Sequence, residues 1–316
     1  MVKEPLFLTP IFQERIWGGT KLQIEFGYDI PSDITGECWV VSAHPNGQSV
    51  VSSGTFEGKT IGELWNEHRE LFGNIEGAVF PLLTKILDAN NNLSVQVHPN
   101  DEYAGKYENG ELGKTECWYV IDAEEDAEII FGHTAQTKAQ LAHMIESGGW
   151  DDLLRRVKVK PGDFFYVPSG TIHALCSGVL ILETQQSSDT TYRVYDYDRI
   201  DKNGQKRGLH IEKSLDVITV PHEDISTAPH LENRTGVTVT TFVQEEYFSV
   251  YKWKVTSVAE FSQDKPFLIG SVLNGAGEIV IDDESFIVGK GSHFILPSGI
   301  GKFKLKGELE LIISHP

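Results

Sequence analysis

Cysteine, methionine and positive charge are all scarce in this chain of 316 residues. The three cysteines (Cys38, Cys117, Cys176) are too few and too scattered for a disulfide framework or a thiolate zinc site. A metal, if one is bound, must therefore sit on histidine, carboxylate or amide. Lys and Arg number 27 against 46 Asp and Glu, a net charge of −19. Such a surface repels nucleic acid and anionic membrane. A small anionic substrate is still allowed, but only where cations gather locally. No apolar run approaches the roughly 18 residues that span a bilayer. The opening MVKEPLFLTPIF lacks the basic and long apolar regions of a secretory signal. The expectation is a cytoplasmic protein. What is present is an ordinary globular composition, 40% hydrophobic and 23% charged. At roughly 150 residues per domain, the length suggests about two domains.

The pattern is mainly β. Short β-prone runs recur between Gly, Pro, Asn and Asp, among them residues 37–43, 93–98, 116–122, 164–167, 179–184, 247–255 and 293–296. Many short strands at regular spacing point to a sandwich or barrel. Helices are few. Thr60-Ile-Gly-Glu63 and Thr137-Lys-Ala-Gln140 read as capping boxes that open helices, and a third short helix is expected over 151–156. Residues 221–236 are polar, hold two prolines and lack periodicity, which suggests a linker between domains at 1–220 and 237–316.

An internal repeat supports two related domains. Val159-Lys-Pro-Gly-Asp-Phe-Phe-Tyr-Val-Pro-Ser-Gly-Thr-Ile-His173 is similar to Val288-Gly-Lys-Gly-Ser-His-Phe-Ile-Leu-Pro-Ser-Gly-Ile-Gly-Lys302. A turn glycine, an apolar strand and Pro-Ser-Gly together resemble the signature of a cupin barrel. Two tandem cupin-type jelly rolls with a small helical component are thus expected. His173 of the first copy is replaced by Lys302 in the second, and Phe267–Gly275 holds no His, Asp or Glu. Only the first barrel is expected to bind metal.

Side chains reverse face at every strand residue. In Leu93-Ser-Val-Gln-Val-His98, therefore, Ser94, Gln96 and His98 share a face, and Lys114, Glu116 and Trp118 share one on the next strand. Converging with His173, these strands would assemble Gln96, His98, Glu116 and His173. Two imidazoles, a carboxylate and an amide suit Zn²⁺ with open positions, and Fe²⁺, Mn²⁺ or Co²⁺ nearly as well. His44-Pro-Asn repeats His98-Pro-Asn, but Ser42 stands where Gln96 would be, and it reads as a loop turn. The remaining histidines, His210 among them, carry no signal.

Four segments carry a wider resemblance: Gln96-Val-His-Pro-Asn-Asp101, Gly113-Lys-Thr-Glu-Cys-Trp118, Pro168-Ser-Gly-Thr-Ile-His173 and Ser188-Asp-Thr-Thr-Tyr-Arg193. In this order and spacing the chain resembles the short bacterial type I mannose-6-phosphate isomerases, over its full length from Arg15-Ile-Trp-Gly-Gly19 onward. The resemblance implies a zinc-dependent aldose–ketose isomerase acting on a phosphorylated sugar through a cis-enediol. It implies one zinc on His98, Glu116 and His173, with Gln96 the weakest ligand. It makes Arg193 the catalytic arginine and Lys114 an active-site lysine, and it places Lys85, Ser94, Glu183, Asp189 and Trp17 in the pocket. Glu183 or Asp189 could be the base, and Lys114 could exchange protons with a lowered pKa. Relatives often carry His-Lys-Pro-Glu where this chain has Gly113-Lys-Thr-Glu116, so a proton-transfer histidine there has no counterpart. Two alternatives stay open at this point: an iron-dependent cupin dioxygenase, and a non-catalytic sugar-phosphate-binding bicupin.

Overall fold

The computed structural model describes residues 2–200 and 204–316. It is built mainly from antiparallel strands in three sheets. The six-stranded sheet runs Phe164–Val167, Glu116–Ala123, Val179–Gln186, Leu82–Ala89, Thr35–Val41 and Ile11–Gly19. The five-stranded sheet runs Tyr192–Tyr195, Val95–Val97, His173–Leu175, Glu128–His133 and Leu154–Lys158. These two enclose the first barrel. Trp17, Leu87, Trp118, Val120, Ile129, Leu175 and Ile181 fill its inside.

Alternation sets which face each strand shows. On the six-stranded sheet, Lys85, Glu116, Trp118 and Glu183 point between the sheets. Cys38, Ile86, Cys117, Tyr119, Leu180 and Leu182 point the other way, into a core shared with Phe242, Phe248, Phe267 and Ile312 of the C-terminal half. That half supplies most strands of a ten-stranded sheet, which Leu6–Thr9 and Val50–Val51 complete, curled around a core of Trp253, Phe261, Val272, Phe294, Phe303 and Leu311.

The boundary between the halves differs from a simple linker. His230–Arg234, inside the expected linker, is a strand paired with Val237–Gln244. Leu6–Thr9 joins the C-terminal sheet, with Leu6 opposite Ile295 and Phe7 opposite Phe294.

The repeat appears in the backbone as well. Gly162 and Gly291 have φ of 94° and 88°, and Gly170 and Gly299 have 86° and 82°. These left-handed positions explain why glycine stands at both turns in both copies. The copies diverge at the following strand. His173 faces inward at 1% exposure, whereas Lys302 is exposed and its neighbour Phe303 turns inward at 2%. Phe303 and Trp253 flank Phe261 in an aromatic stack with centroids 5.4 and 4.0 Å from it. The second barrel thus fills its interior with rings.

Helices are short. The capping box at Thr60 and Glu63 is complete and opens Ile61–Glu67. Thr137 caps Gln140 N–H, but the Gln140 amide oxygen accepts from Gln136 N–H, so the second box is half made. The helix expected over 151–156 stops at Leu153, and Leu154–Lys158 is a strand instead, paired with Glu128–His133. No helix among the described residues is long and apolar enough to cross a membrane.

Candidate metal centre and substrate cavity

The strands bring His98, Glu116 and His173 together in the first barrel, at 1%, 0% and 1% exposure. One ligand atom from each lies within 4.8 Å of the others, and this is the single such group among the described residues. His98 Nε2 is 3.4 Å from Glu116 Oε2, and His173 Nε2 is 3.3 Å from Glu116 Oε1. The backs of both rings are tied down. His98 Nδ1 lies 2.8 Å from Thr190 O and His173 Nδ1 lies 2.9 Å from Thr171 O. A carbonyl only accepts, so each Nδ1 carries the proton and each Nε2 keeps its lone pair for the centre of the group. Burial holds both imidazoles neutral, with His98 well below its ordinary pKa and His173 pushed down to about 4.

The donor chemistry fits a divalent cation, and the structure itself shows the attraction. The Lys114 ammonium stands in for a cation at the group, 2.8 Å from Glu116 Oε2 and 3.3 Å from His98 Nε2. The first of these is an ionic contact without hydrogen-bond geometry, and it leaves Glu116 Oε2 with no hydrogen-bond donor. Gln96 sits beside the group with its Nε2 3.3 Å from His173 Nε2, donating to that lone pair. To serve as a ligand, its amide would have to turn the oxygen inward.

In front of this group opens a cavity of about 330 Å³ lined by Trp17, Lys85, Ser94, Gln96, Lys114, Glu183, Asp189 and Arg193. All eight were candidates in the sequence, and the fold gathers every one. Glu183 lies between two ammonium groups, with Lys85 and Lys114 each 3.9 Å from its Oε1. That oxygen has no hydrogen bond, while Trp118 Nε1 donates to Oε2 at 3.2 Å. Burial and then the Glu116 charge raise the Glu183 pKa against the pull of both lysines. Asp189 is more open, with 35% side-chain exposure, and accepts from Asn46 Nδ2 at 2.9 Å. Arg193 donates to Ser94 Oγ at 3.3 Å and to Gly208 O at 2.9 Å, and it has no ion pair among the described residues.

Burial alone would lower the Lys114 pKa, but Glu116 and Glu183 outweigh it and raise the pKa above the ordinary lysine value. Lys114 is a firm cation here, engaged with Glu116 and His98.

Sequence reasoning missed Glu37, Arg15 and Arg207, which also line the cavity. Glu37 is 8% exposed and accepts from Trp39 Nε1 at 2.6 Å and from Arg15 Nε and Nη2 at 2.8 and 3.2 Å. A carboxylate in the middle of the apolar strand Thr35–Val41 was a usable signal. Arg207 had none. Its side chain is held by Asp196, which accepts from its Nε at 2.7 Å, and that contact exists only in the folded chain.

Fold and site together define a double-cupin protein with one nitrogen–oxygen metal-type cluster beneath a cation-rich cavity. Residues 6–134 match the family description "Phosphomannose isomerase type I, catalytic domain", and residues 238–316 match "Mannose-6-phosphate isomerase, cupin domain". The chain is 59% identical over 315 residues to mannose-6-phosphate isomerase ManA of Bacillus subtilis (strain 168), covering 100% of both chains. It is 55% identical over 312 residues to the mannose-6-phosphate isomerase of Streptococcus mutans, covering 99% of this chain and 98% of that one. The crystal structure of the mannose 6-phosphate isomerase from Bacillus subtilis superposes with a TM-score of 0.97 at 59% identity, covering 99% of each. A phosphomannose isomerase from Salmonella typhimurium shares the fold, with a TM-score of 0.81 at 15% identity over 99% of each chain. The chain belongs to the type I phosphomannose isomerase family, enzymes of the aldose–ketose isomerase class.

Proposed function

We propose that this protein interconverts mannose 6-phosphate and fructose 6-phosphate through a cis-enediolate, with one zinc ion held by His98, Glu116 and His173. The Gln96 amide is the fourth and weakest donor. One observation carries the reading. In a chain of net charge −19, five cations (Arg15, Lys85, Lys114, Arg193, Arg207) line a single cavity, directly over the only N/O metal-type cluster among the described residues. That arrangement suits a small phosphorylated substrate at a metal, and nothing about it calls for molecular oxygen.

When bound, the cation supplies Lewis-acid stabilisation of charge on the sugar's O1 and O2. The protein's residues do the rest. Glu183 Oε1 is the proton carrier between C1 and C2, because it is desolvated, free of hydrogen bonds and raised in pKa toward the working range. Lys85 and Lys114 flank it and balance its charge. Arg193 is permanently cationic, forked and without a carboxylate partner, so it is open to the substrate's anionic oxygens. Asp189, steered by Asn46, hydrogen-bonds sugar hydroxyls. Trp17, Leu87 and Leu93 give the cavity apolar walls, which strengthens each of these charges by excluding water.

The test is a coupled assay on mannose 6-phosphate before and after EDTA, with zinc added back. Activity should fall at least about tenfold on chelation and return with zinc. Full activity after complete chelation would remove the metal from the proposal, and absence of isomerase activity in the zinc-loaded protein would remove the function.

A further inference from the structure

Arg193 lies on Tyr192–Tyr195, the edge strand of the five-stranded sheet. Its inner side pairs with Gln96, and the register breaks between Arg193 and Tyr195. An edge strand with an irregular register places side chains loosely unless something closes its outer side. His210 closes it here. The His210 N–H donates to Arg193 O at 2.8 Å, and the Arg193 N–H donates to His210 Nδ1 at 3.0 Å. Two residues earlier, Gly208 O accepts from Arg193 Nη1 at 2.9 Å. The segment 208–210 therefore holds this one residue by its N–H, its carbonyl and its guanidinium.

The ring's orientation argues that the contact is specific. His210 is the N-cap of the helix Ile211–Val217, where a side chain ordinarily turns forward to cap the helix N–H groups. It makes no such bond. The ring instead turns back to Arg193, with the Tyr192 ring 6.1 Å away. Accepting at Nδ1 fixes the neutral tautomer protonated at Nε2. Burial, with Arg193 and Lys213 as like charges nearby, keeps the ring neutral against the opposing pull of Glu108.

We infer that His210 is a positioning residue, which fixes Arg193 at the cavity through the Arg193 main chain. The inference rests on the proposed contact between Arg193 and substrate, and the experiment separates the two. A double-mutant cycle uses His210→Ala, Arg193→Ala and the pair, with the zinc-loaded full-length protein and mannose 6-phosphate. His210→Ala should lower kcat/KM about tenfold, the scale of losing one hydrogen bond that orders a charged group. In the Arg193→Ala background the same change should have no further effect. His210→Asn, whose amide oxygen takes the place of Nδ1, should recover to within about threefold of wild type. Equal losses from His210→Ala in both backgrounds would show that it acts independently of Arg193 and would overturn the inference. So would a His210→Asn variant as impaired as His210→Ala. If Arg193→Ala itself turns over normally, the substrate role of Arg193 fails first. Should His210→Ala not fold, the Asn variant and a Gln variant, whose longer side chain misplaces the amide, carry the comparison. Loss in Gln with recovery in Asn supports the inference, and equal behaviour opposes it.

Discussion

Glu37 and Arg193 show two opposite uses of a charge at the cavity. Glu37 is fully engaged by Arg15, Trp39 and, at 3.9 Å, Lys85. Its burial would raise its pKa, but Lys85 and Arg15 reverse this and hold it below the ordinary carboxylate value of 4.5. The unfolded chain binds this proton more readily than the native one, so the stability Glu37 confers is full above about pH 4.5 and is lost as pH falls through its depressed native pKa. Metal-free protein should therefore lose stability more steeply between about pH 4.5 and 3 than Glu37→Gln does. Near neutrality the variant should be the weaker by about 2 kcal/mol. Urea titrations from neutrality down through that pH range check both points, and parallel curves would refute the assignment. The Arg193 guanidinium is held only by neutral oxygens, which under the proposed function leaves its charge for substrate. Arg193→Ala should cut turnover at least about 100-fold, the scale of losing one charge-stabilising group, with zinc content unchanged by metal analysis. At this scale the sequence was most legible where alternation alone decides the face, as in Ser94, Gln96 and His98. It was silent on Arg207 and His210, whose roles arise from contacts with residues distant in the chain.

The strands carried their own signal because short β-prone runs bounded by Gly, Pro, Asn and Asp show within a few residues. Phe164–Val167 and His293–Leu296 have the boundaries their pattern implies. Helices of six or seven residues do not repeat often enough to show a period. Lys21–Phe26, Asp101–Tyr107 and Ile211–Val217 were accordingly missed, although Asn100, which accepts from Tyr103 N–H, was a readable cap for the second. The helix expected over 151–156 stops at Leu153 because Leu154–Lys158 is captured by its neighbour strand, a tertiary override of local preference. The repeated strand–turn–strand segment gives the sharpest test at this scale. Its two copies share turn glycines and Pro-Ser-Gly, and they part at the residues just beyond, with an inward imidazole in one and an outward lysine beside an inward phenyl ring in the other. His173→Ala should lower bound zinc at least about tenfold, as expected for a lost ligand, while Lys302→Ala leaves it unchanged. Equal metal loss in the two variants, measured on dialysed protein, would contradict a single site in the first barrel.

Across the whole molecule, the least legible feature is the path of the N-terminus. Local patterning can say that Leu6–Thr9 is a strand, but it cannot say that its partner lies near residue 295, because every candidate edge offers the same backbone groups. The consequence is mechanical. Leu6 and Leu8 are buried at 0% and 6% in the core where the outer face of the catalytic sheet meets the C-terminal half. Strand and core together tie the second barrel to the sheet that carries Lys85, Glu116 and Glu183. The C-terminal half then acts as the support of the catalytic barrel, and the two should unfold as one unit. Leu6→Ala removes a large buried side chain at this junction and should cost about 2–5 kcal/mol. Protein labelled with fluorotryptophan reports the two barrels separately, through Trp118 in the first and Trp253 in the second. In wild type both resonances should vanish at one urea midpoint, and in Leu6→Ala both should shift together to a lower one. A Trp253 signal that moves alone would mean that the strand stabilises only the sheet it joins, and that the catalytic barrel stands without it.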